Sequence, residues 1–258
     1  MSTTTSAYNN SAYSDCFEQH GYAVLRGFLS AEEVVRLRHH LDRFIQEVLP
    51  ERRAVEVYYE DKSRPETCKQ IQHLEKHDGC FAGLMFNSRF ETLAVELLGE
   101  PVRGKNIQYF NKSPDQNIST PPHQDGQYFM LSACRALTMW LAVDAADEET
   151  GCLRMQPGSH KHALRTHTRS GTLGFSQFIS DYPSDQERLG EIAIPAAPGD
   201  LVVHHAKTIH RADANRSPER NRRALGFIYY AASAREDSAA HQAYQQELAE
   251  DLSSQGKI

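Results

Sequence analysis

His123-Gln124-Asp125 places an imidazole and a carboxylate two residues apart, just after the turn-like stretch Ser119-Thr120-Pro121-Pro122. In an extended chain, residues i and i+2 project from one face, so the two groups can be offered to a single point. They make up two-thirds of the 2-His-1-carboxylate set that holds Fe(II) in non-haem oxygenases. A third ligand should be a histidine on a later strand, and His204, His205 and His210 are the candidates. After His210 come the polar turn residues Arg211–Ser217, an arginine cluster (Arg220, Arg222, Arg223) and the apolar run Ala224–Tyr230. An arginine opening a strand about a dozen residues past a ligand histidine suits a 2-oxo-diacid: the metal chelates the oxo-acid end and a guanidinium grips the far carboxylate bidentately.

The elements that must position these residues are readable from period and punctuation. Tyr22–Phe28 reads as a short strand. Ser30 and Glu33 form a capping box before Val34, Leu37, Leu41, Phe44, Ile45 and Val48 at helical spacing, and Pro50 closes the run. A second helix is predicted over Arg89–Leu98, stopped by Gly99 and Pro101. Strands are predicted over Val102–Lys112, Ala136–Val143, Glu191–Ile194, Asp200–His205 and Arg223–Ala231, with turns at Gly151, Pro157-Gly158 and Pro198-Gly199. Ala239–Leu252 reads as a polar C-terminal helix, and residues 1–14 as a disordered tail. Helices first and strands afterwards indicate one α+β domain over residues 1–258 with a mainly β, jelly-roll core.

Composition narrows the function classes. Of 258 residues, 40% are hydrophobic and 24% charged, so a normal core can form, and the net charge of −6 argues against a nucleic-acid or anionic-membrane surface. The longest apolar runs, such as Ala136–Ala146, are too short and interrupted for a bilayer span, and the N-terminus lacks a signal-peptide pattern. Cys16, Cys68, Cys80, Cys134 and Cys152 are scattered and never form Cys-x-x-Cys. Reduced thiols in a cytoplasmic protein are the reading that fits.

Several ordered blocks resemble the phytanoyl-CoA dioxygenase family of Fe(II)/2-oxoglutarate oxygenases. They are Gly21–Phe28, Asn111–Asp115, Pro122–Asp125, Met139–Ala142, Gly151–Leu153, Pro157–Lys161, Pro198–Asp200, His210–Asn215, Ser217 and Arg222–Ala224. The resemblance implies a double-stranded β-helix (cupin-like) fold with flanking helices, iron on His123, Asp125 and His210, and 2-oxoglutarate and O2 as cosubstrates. It puts the 2-oxoglutarate arginine at Arg222, with Arg220 and Arg223 as alternatives because of an insertion after Ser217. Gln108, Trp140 and Gln124 are expected on the cosubstrate, with Lys69 or Gln70 as a further match. His160 and Asn215 are expected to support the site. Ala212 stands where relatives often carry a serine donor to 2-oxoglutarate.

The implied reaction is hydroxylation of an unactivated C–H bond with release of succinate and CO2. Asp125 favours this over halogenation, which needs a small residue in place of the carboxylate. Desaturation, epimerisation or cyclisation on the same ligands, or a non-catalytic cupin-like binding protein, are the alternatives. The partner is a small free metabolite, an anionic one being compatible with an Arg154, Lys161, Arg165, Arg169 rim; a monomer or homodimer is expected. Val55–Phe86 and a loop over Thr166–Pro183 are expected to form the entrance. His39, His40, His73, His77, His162 and His167 read as surface or loop histidines, and His204 and His205 as strand residues, one packed and one exposed.

Overall fold

A computed structural model describes residues 10–49, 56–61, 63–64, 67–114 and 118–254. A seven-stranded antiparallel sheet forms the major layer, in the order Tyr22–Leu25, Leu201–His205, Ala136–Ala142, Arg222–Ala231, Val102–Lys112, Cys68–Ile71, Val57–Tyr59. A four-stranded minor sheet faces it, ordered Ile192–Ile194, Leu153–Met155, His210–Ala212, Thr120–His123. Two facing antiparallel sheets of this kind, with helices outside, make the double-stranded β-helix.

Alternation along the major strands divides the interior in two. Leu137, Met139, Leu141, Leu201, Val203, Leu225, Phe227 and Tyr229 point to one side. There they pack on the apolar faces of helices Ala31–Arg43 and Arg89–Leu98, through Val34, Leu37, Leu41, Phe90 and Ala94. Residues of opposite parity, Trp140, Ala142, Val202 and Ala224, meet Leu153, Met155 and Ala212 of the minor sheet. A one-residue slip in any of these strands would exchange core for site, so each buried side chain, worth roughly 1.5–3 kcal/mol, also fixes the register.

Local signals explain the corners. Ser30 and Glu33 cap the first long helix reciprocally, and Gly99, at φ 69°, ends the Arg89–Leu98 helix. Asp200 accepts hydrogen bonds from the Gly27 and Ala197 amides and from Arg26, so the Pro198-Gly199-Asp200 block ties the Leu201–His205 strand to the chain after Leu25. Gly199 sits at φ 90°, where a Cβ would lie 2.5 Å from the Leu29 carbonyl oxygen.

Three expectations need correction. A helix, Asn10–His20, starts inside the segment expected to be a disordered tail; residues 1–9 lie outside the described residues. The Ala31 helix stops at Arg43 and continues as a wider-wound turn, Phe44–Val48. The Thr166–Pro183 loop is a hairpin of strands His167–Thr172 and Phe175–Ile179; its Gly171 and Gly174, both at positive φ, bracket the turn. The five cysteines are free thiols. Among the described residues no helix is long and apolar enough to cross a membrane.

Candidate active site

His123 ends its minor-sheet strand and His210 begins the neighbouring one, directly opposite in register. Asp125 is not on a strand. Its backbone is helical (φ −57°, ψ −32°) at the start of the short Gly126–Phe129 helix, so the same-face argument from strand alternation does not apply. The tight turn after His123 nevertheless returns the carboxylate to the imidazoles. Asp125 Oδ1 lies 3.4 Å from His123 Nε2 and 3.6 Å from His210 Nε2. One donor atom from each of the three residues lies within 4.8 Å of the other two.

The two histidines are set up as ligands. His123 Nδ1 donates to the Pro121 carbonyl at 2.8 Å and His210 Nδ1 to the Thr208 carbonyl at 3.0 Å. With Nδ1 carrying the proton, each Nε2 keeps a free lone pair aimed at Asp125. Burial, then the neighbouring His204 and His123, push the His210 imidazolium well below the ordinary range, so the ring stays neutral. Burial alone would raise the Asp125 carboxyl. The imidazoles of His210, His123 and His204 around it outweigh burial and hold that carboxyl well below the usual range. Neutral imidazoles and an ionised carboxylate are the protonation states a divalent metal requires.

These residues open onto a cavity of about 510 Å³, a volume in the range of small-ligand pockets. Arg222 lies on its wall, opposite Lys112 in register, with its guanidinium 5.4 Å from the centre of the Trp140 ring. It is 4% exposed, and its Nε has no hydrogen-bond partner among the described residues. Burial draws its pKa down to about 10. Lys112 Nζ donates only to the Ile118 carbonyl among the described residues, and burial, then Arg222 and Lys69, push its ammonium well below the ordinary range. A buried guanidinium facing an amine whose charge burial disfavours, with no carboxylate paired to either among the described residues, constitutes a demand for an anion that would favour both charges.

The other two arginines are occupied elsewhere. Arg220 pairs with Asp147 at 2.7 Å and with Glu149, on the exposed surface. Arg223 points to the opposite face of its strand and pairs with Asp144 and Asp42, each at 2.7 Å. Gln108 lines the cavity and accepts from Gln70 at 3.2 Å, while Lys69, also on the wall, pairs with Glu60 at 2.7 Å. Asn215 is buried and donates to the Lys112 and Arg220 carbonyls, which fixes the corner leading into Arg222.

Other expectations fail. Gln124 does not face the cavity: its amide donates to the Lys207 carbonyl and accepts from the Arg165 amide, because its side chain leaves the turn opposite to His123 and Asp125. His160 bonds the Glu18 carbonyl at 3.0 Å, away from the cavity. The three arginines of the expected basic rim are paired with carboxylates: Arg154 with Asp213, Arg165 with Glu187 and Arg169 with Glu247, while none of these arginines, nor Lys161, lines the cavity. His204 is more than a packed strand residue, since its Nε2 lies 3.0 Å from Asp125 Oδ2, beside the Thr138 hydroxyl at 2.6 Å. Strand parity carries the signal that was missed, because His204 and Thr138 share the face of Val202 and Trp140. Away from the donors the cavity is lined by Tyr58 and Gln72 from the first expected entrance segment, by Thr172 from the hairpin and by Tyr244 and Leu248 from helix Ser238–Ser254, which make its mouth, while Phe175 of the hairpin reaches inward, its ring 5.4 Å from that of His123. That helix was expected, but its place at the mouth was not; Val55 lies outside the described residues.

A second cluster, His40, Asp78 and Cys80, is structural. Asp78 caps the helix after it and its oxygens also receive His40 and Arg43.

Comparison with known proteins bears on the family and the fold. A family model described as phytanoyl-CoA dioxygenase matches residues 17–224. The probable alpha-ketoglutarate-dependent hypophosphite dioxygenase of Stutzerimonas stutzeri is 27% identical over 219 residues, covering 83% of this chain and 75% of that one. The 1-deoxypentalenic acid 11-beta-hydroxylase of Streptomyces arenae is 27% identical over 215 residues, covering 77% of this chain and 72% of that one. The solved structure of the epimerase SnoN in complex with Fe3+, alpha ketoglutarate and nogalamycin RO shares the fold, with a TM-score of 0.71 at 24% identity over 88% of this chain and 85% of that one. With most of its length matched by the family model, the chain belongs to the phytanoyl-CoA dioxygenase family.

Proposed function

We propose that the chain is an Fe(II)- and 2-oxoglutarate-dependent dioxygenase that hydroxylates an unactivated C–H bond of a small metabolite, releasing succinate and CO2. The observation that carries this reading is a His123–Asp125–His210 donor set, both histidines buried, and an Arg222 with no carboxylate partner among the described residues, on the wall of one cavity. Two imidazoles and one carboxylate would suit Fe(II) and would leave positions on it for the cosubstrate and O2. Bound iron supplies O2 activation coupled to decarboxylation of 2-oxoglutarate.

The chain's own residues do the rest. His123, Asp125 and His210 hold the metal in fixed protonation states. Arg222 receives the far carboxylate of 2-oxoglutarate, with Trp140 stacked beside the guanidinium and Gln108 on the same wall. Lys112 adds a second positive charge there, which compensates for Ala212 lacking a hydroxyl. The buried position of the donors keeps water from the reacting centre.

The remaining space suits a small, free and anionic substrate. Lys69, Lys76, Lys105, Lys112 and Arg222 line the cavity against Glu60, Asp125 and Glu236, five cations against three carboxylates. The relative named for hypophosphite is consistent with an anion. The unit at work is one domain, as a monomer or homodimer, in the cytoplasm and without nucleic acid or membrane. Desaturation, epimerisation and cyclisation would use the same donors, and product analysis separates them.

The test is succinate formation with Fe(II), 2-oxoglutarate and O2 across a panel of small carboxylates, phosphonates and neutral analogues. Substrate-stimulated succinate with a product heavier by one oxygen supports the reading. A chain that binds both cofactors and turns over none of the panel beyond the substrate-free rate contradicts it.

A further inference from the structure

The metal site just proposed leaves one buried histidine without a part. His204 is 2% exposed, lies on the cavity wall, and its ring centre is 4.2 Å from that of His210. It does not join the three residues whose donor atoms all lie within 4.8 Å of one another, so it is not placed as a fourth ligand. Its contact is with the ligand carboxylate.

Asp125 has two unlike ends. Oδ1 faces His123 Nε2 and His210 Nε2, at 3.4 and 3.6 Å. Oδ2 turns away from them and takes the Thr138 hydroxyl at 2.6 Å and His204 Nε2 at 3.0 Å. Thr138 and His204 are cross-strand partners in the major sheet, so both donors stand on one rigid surface. An ionised carboxylate has no proton to give, so His204 must donate from Nε2, which leaves Nδ1 as a bare acceptor. That atom is buried with no partner among the described residues. An orphaned buried acceptor costs about 1–3 kcal/mol, which an apolar ring of similar size would avoid, so packing alone does not account for a histidine here.

The arrangement bears on how many positions the carboxylate occupies. Two histidines, one carboxylate oxygen and a chelating 2-oxo acid fill five positions of an octahedral metal. A second carboxylate oxygen would fill the sixth. We propose that His204 is a positioning residue that, together with Thr138, holds Asp125 Oδ2 off the metal, so that Asp125 binds through Oδ1 alone and the last position stays open. This rests on the iron reading above. It adds a part for two residues that the family blocks do not single out.

The experiment is an anaerobic Fe(II) titration of the metal-free protein, followed by the visible charge-transfer band on adding 2-oxoglutarate. The variants are His204→Phe, His204→Gln and Thr138→Val. Loss of an outer hydrogen bond to a metal ligand typically weakens metal binding by about 10–100-fold. His204→Phe is expected to fall in that range and to shift the band, while His204→Gln, which retains an N–H donor, recovers most of both. Thr138→Val shifts the same band by a smaller amount, and it carries the test if His204→Phe fails to fold. Wild-type iron affinity and an unshifted band in both His204→Phe and Thr138→Val would overturn the proposal and leave the iron reading standing. A wild-type protein that takes up no Fe(II) overturns both.

Discussion

The inner end of the cavity is walled by strands, and its polar groups hold one another: His123 and His210 on backbone carbonyls, Asp125 on Thr138 and His204. The mouth is walled by pieces from three distant parts of the chain. They meet through a few polar contacts, such as Ser176 with Tyr244 and Arg169 with Glu247 at 2.5 Å. The inner groups are placed by the register of two sheets and are hard to move without unfolding. Those at the mouth sit on the edge strand Val57–Tyr59 of the major sheet, on a separate two-stranded hairpin and on the C-terminal helix, pieces that can vary while the central strands remain. The difference separates the reaction, carried by the fold, from the choice of substrate, carried by its additions.

Breaking the inner end should have the largest effect. Asp125→Ala or His210→Ala removes a donor outright, and Fe(II) affinity should fall by more than about a hundredfold, beyond what outer-contact losses produce. Equilibrium dialysis with metal analysis measures it, and retention of wild-type binding would remove the triad.

Arg222→Met should come next, with opposite effects on binding and stability. Losing one partner of a buried charge pair costs about 2–5 kcal/mol, so 2-oxoglutarate affinity should drop by roughly 30-fold or more. The ligand-free protein should melt higher. Burial lowers the Arg222 pKa to about 10, so its charged form is disfavoured by folding. That penalty is complete at neutral pH and is relieved only as pH rises from about 10 towards the unfolded value. The fall from the ordinary guanidinium range to about 10 amounts to a penalty on the order of 3 kcal/mol. Calorimetry of the apo variant at neutral pH tests the sign; a lower melting temperature contradicts it.

At the mouth, Tyr244→Ala should raise the substrate KM by roughly three- to tenfold and leave 2-oxoglutarate affinity within about twofold. Equal losses in both would mean the two ends are not separable. The smallest effect is expected at Arg220→Ala, with 2-oxoglutarate affinity unchanged within about twofold, since this arginine is committed to Asp147 and Glu149 on the exposed surface. Its one signature lies in acid. Arg220 is the main cause holding the Asp147 carboxyl down at about 2. A depressed carboxyl stabilises the fold above its ordinary pKa and loses that contribution as pH falls through about 2. The variant should therefore differ slightly from wild type at neutral pH and converge with it in strong acid.

Much of the scaffold was legible because it depends on neighbours in sequence. Ser30 with Glu33, Gly99 after Leu98, and the β-branched and aromatic runs carry their own local signals. The donor set was legible through the ordered family blocks, since nearby spacing could not choose among His204, His205 and His210. What stayed hidden depends on register between distant strands. Thr138 reaches Asp125 because the Ala136–Ala142 and Leu201–His205 strands align it with His204. Arg222 is distinguished from Arg223 by which face of the sheet each occupies, and from Arg220 by acidic partners contributed from another loop. Asp125 met the imidazoles by a tight turn, a geometry that His-x-Asp spacing does not specify.

The central claim is that one cavity binds Fe(II) at His123, Asp125 and His210 and 2-oxoglutarate beside it. Its most direct test is an anaerobic titration of 2-oxoglutarate into the Fe(II)-loaded protein, followed by the visible charge-transfer band of the chelate. The account predicts a saturable band at one equivalent per chain, absent in His123→Ala. No band in the wild-type protein, or an undiminished band in His123→Ala, would contradict it.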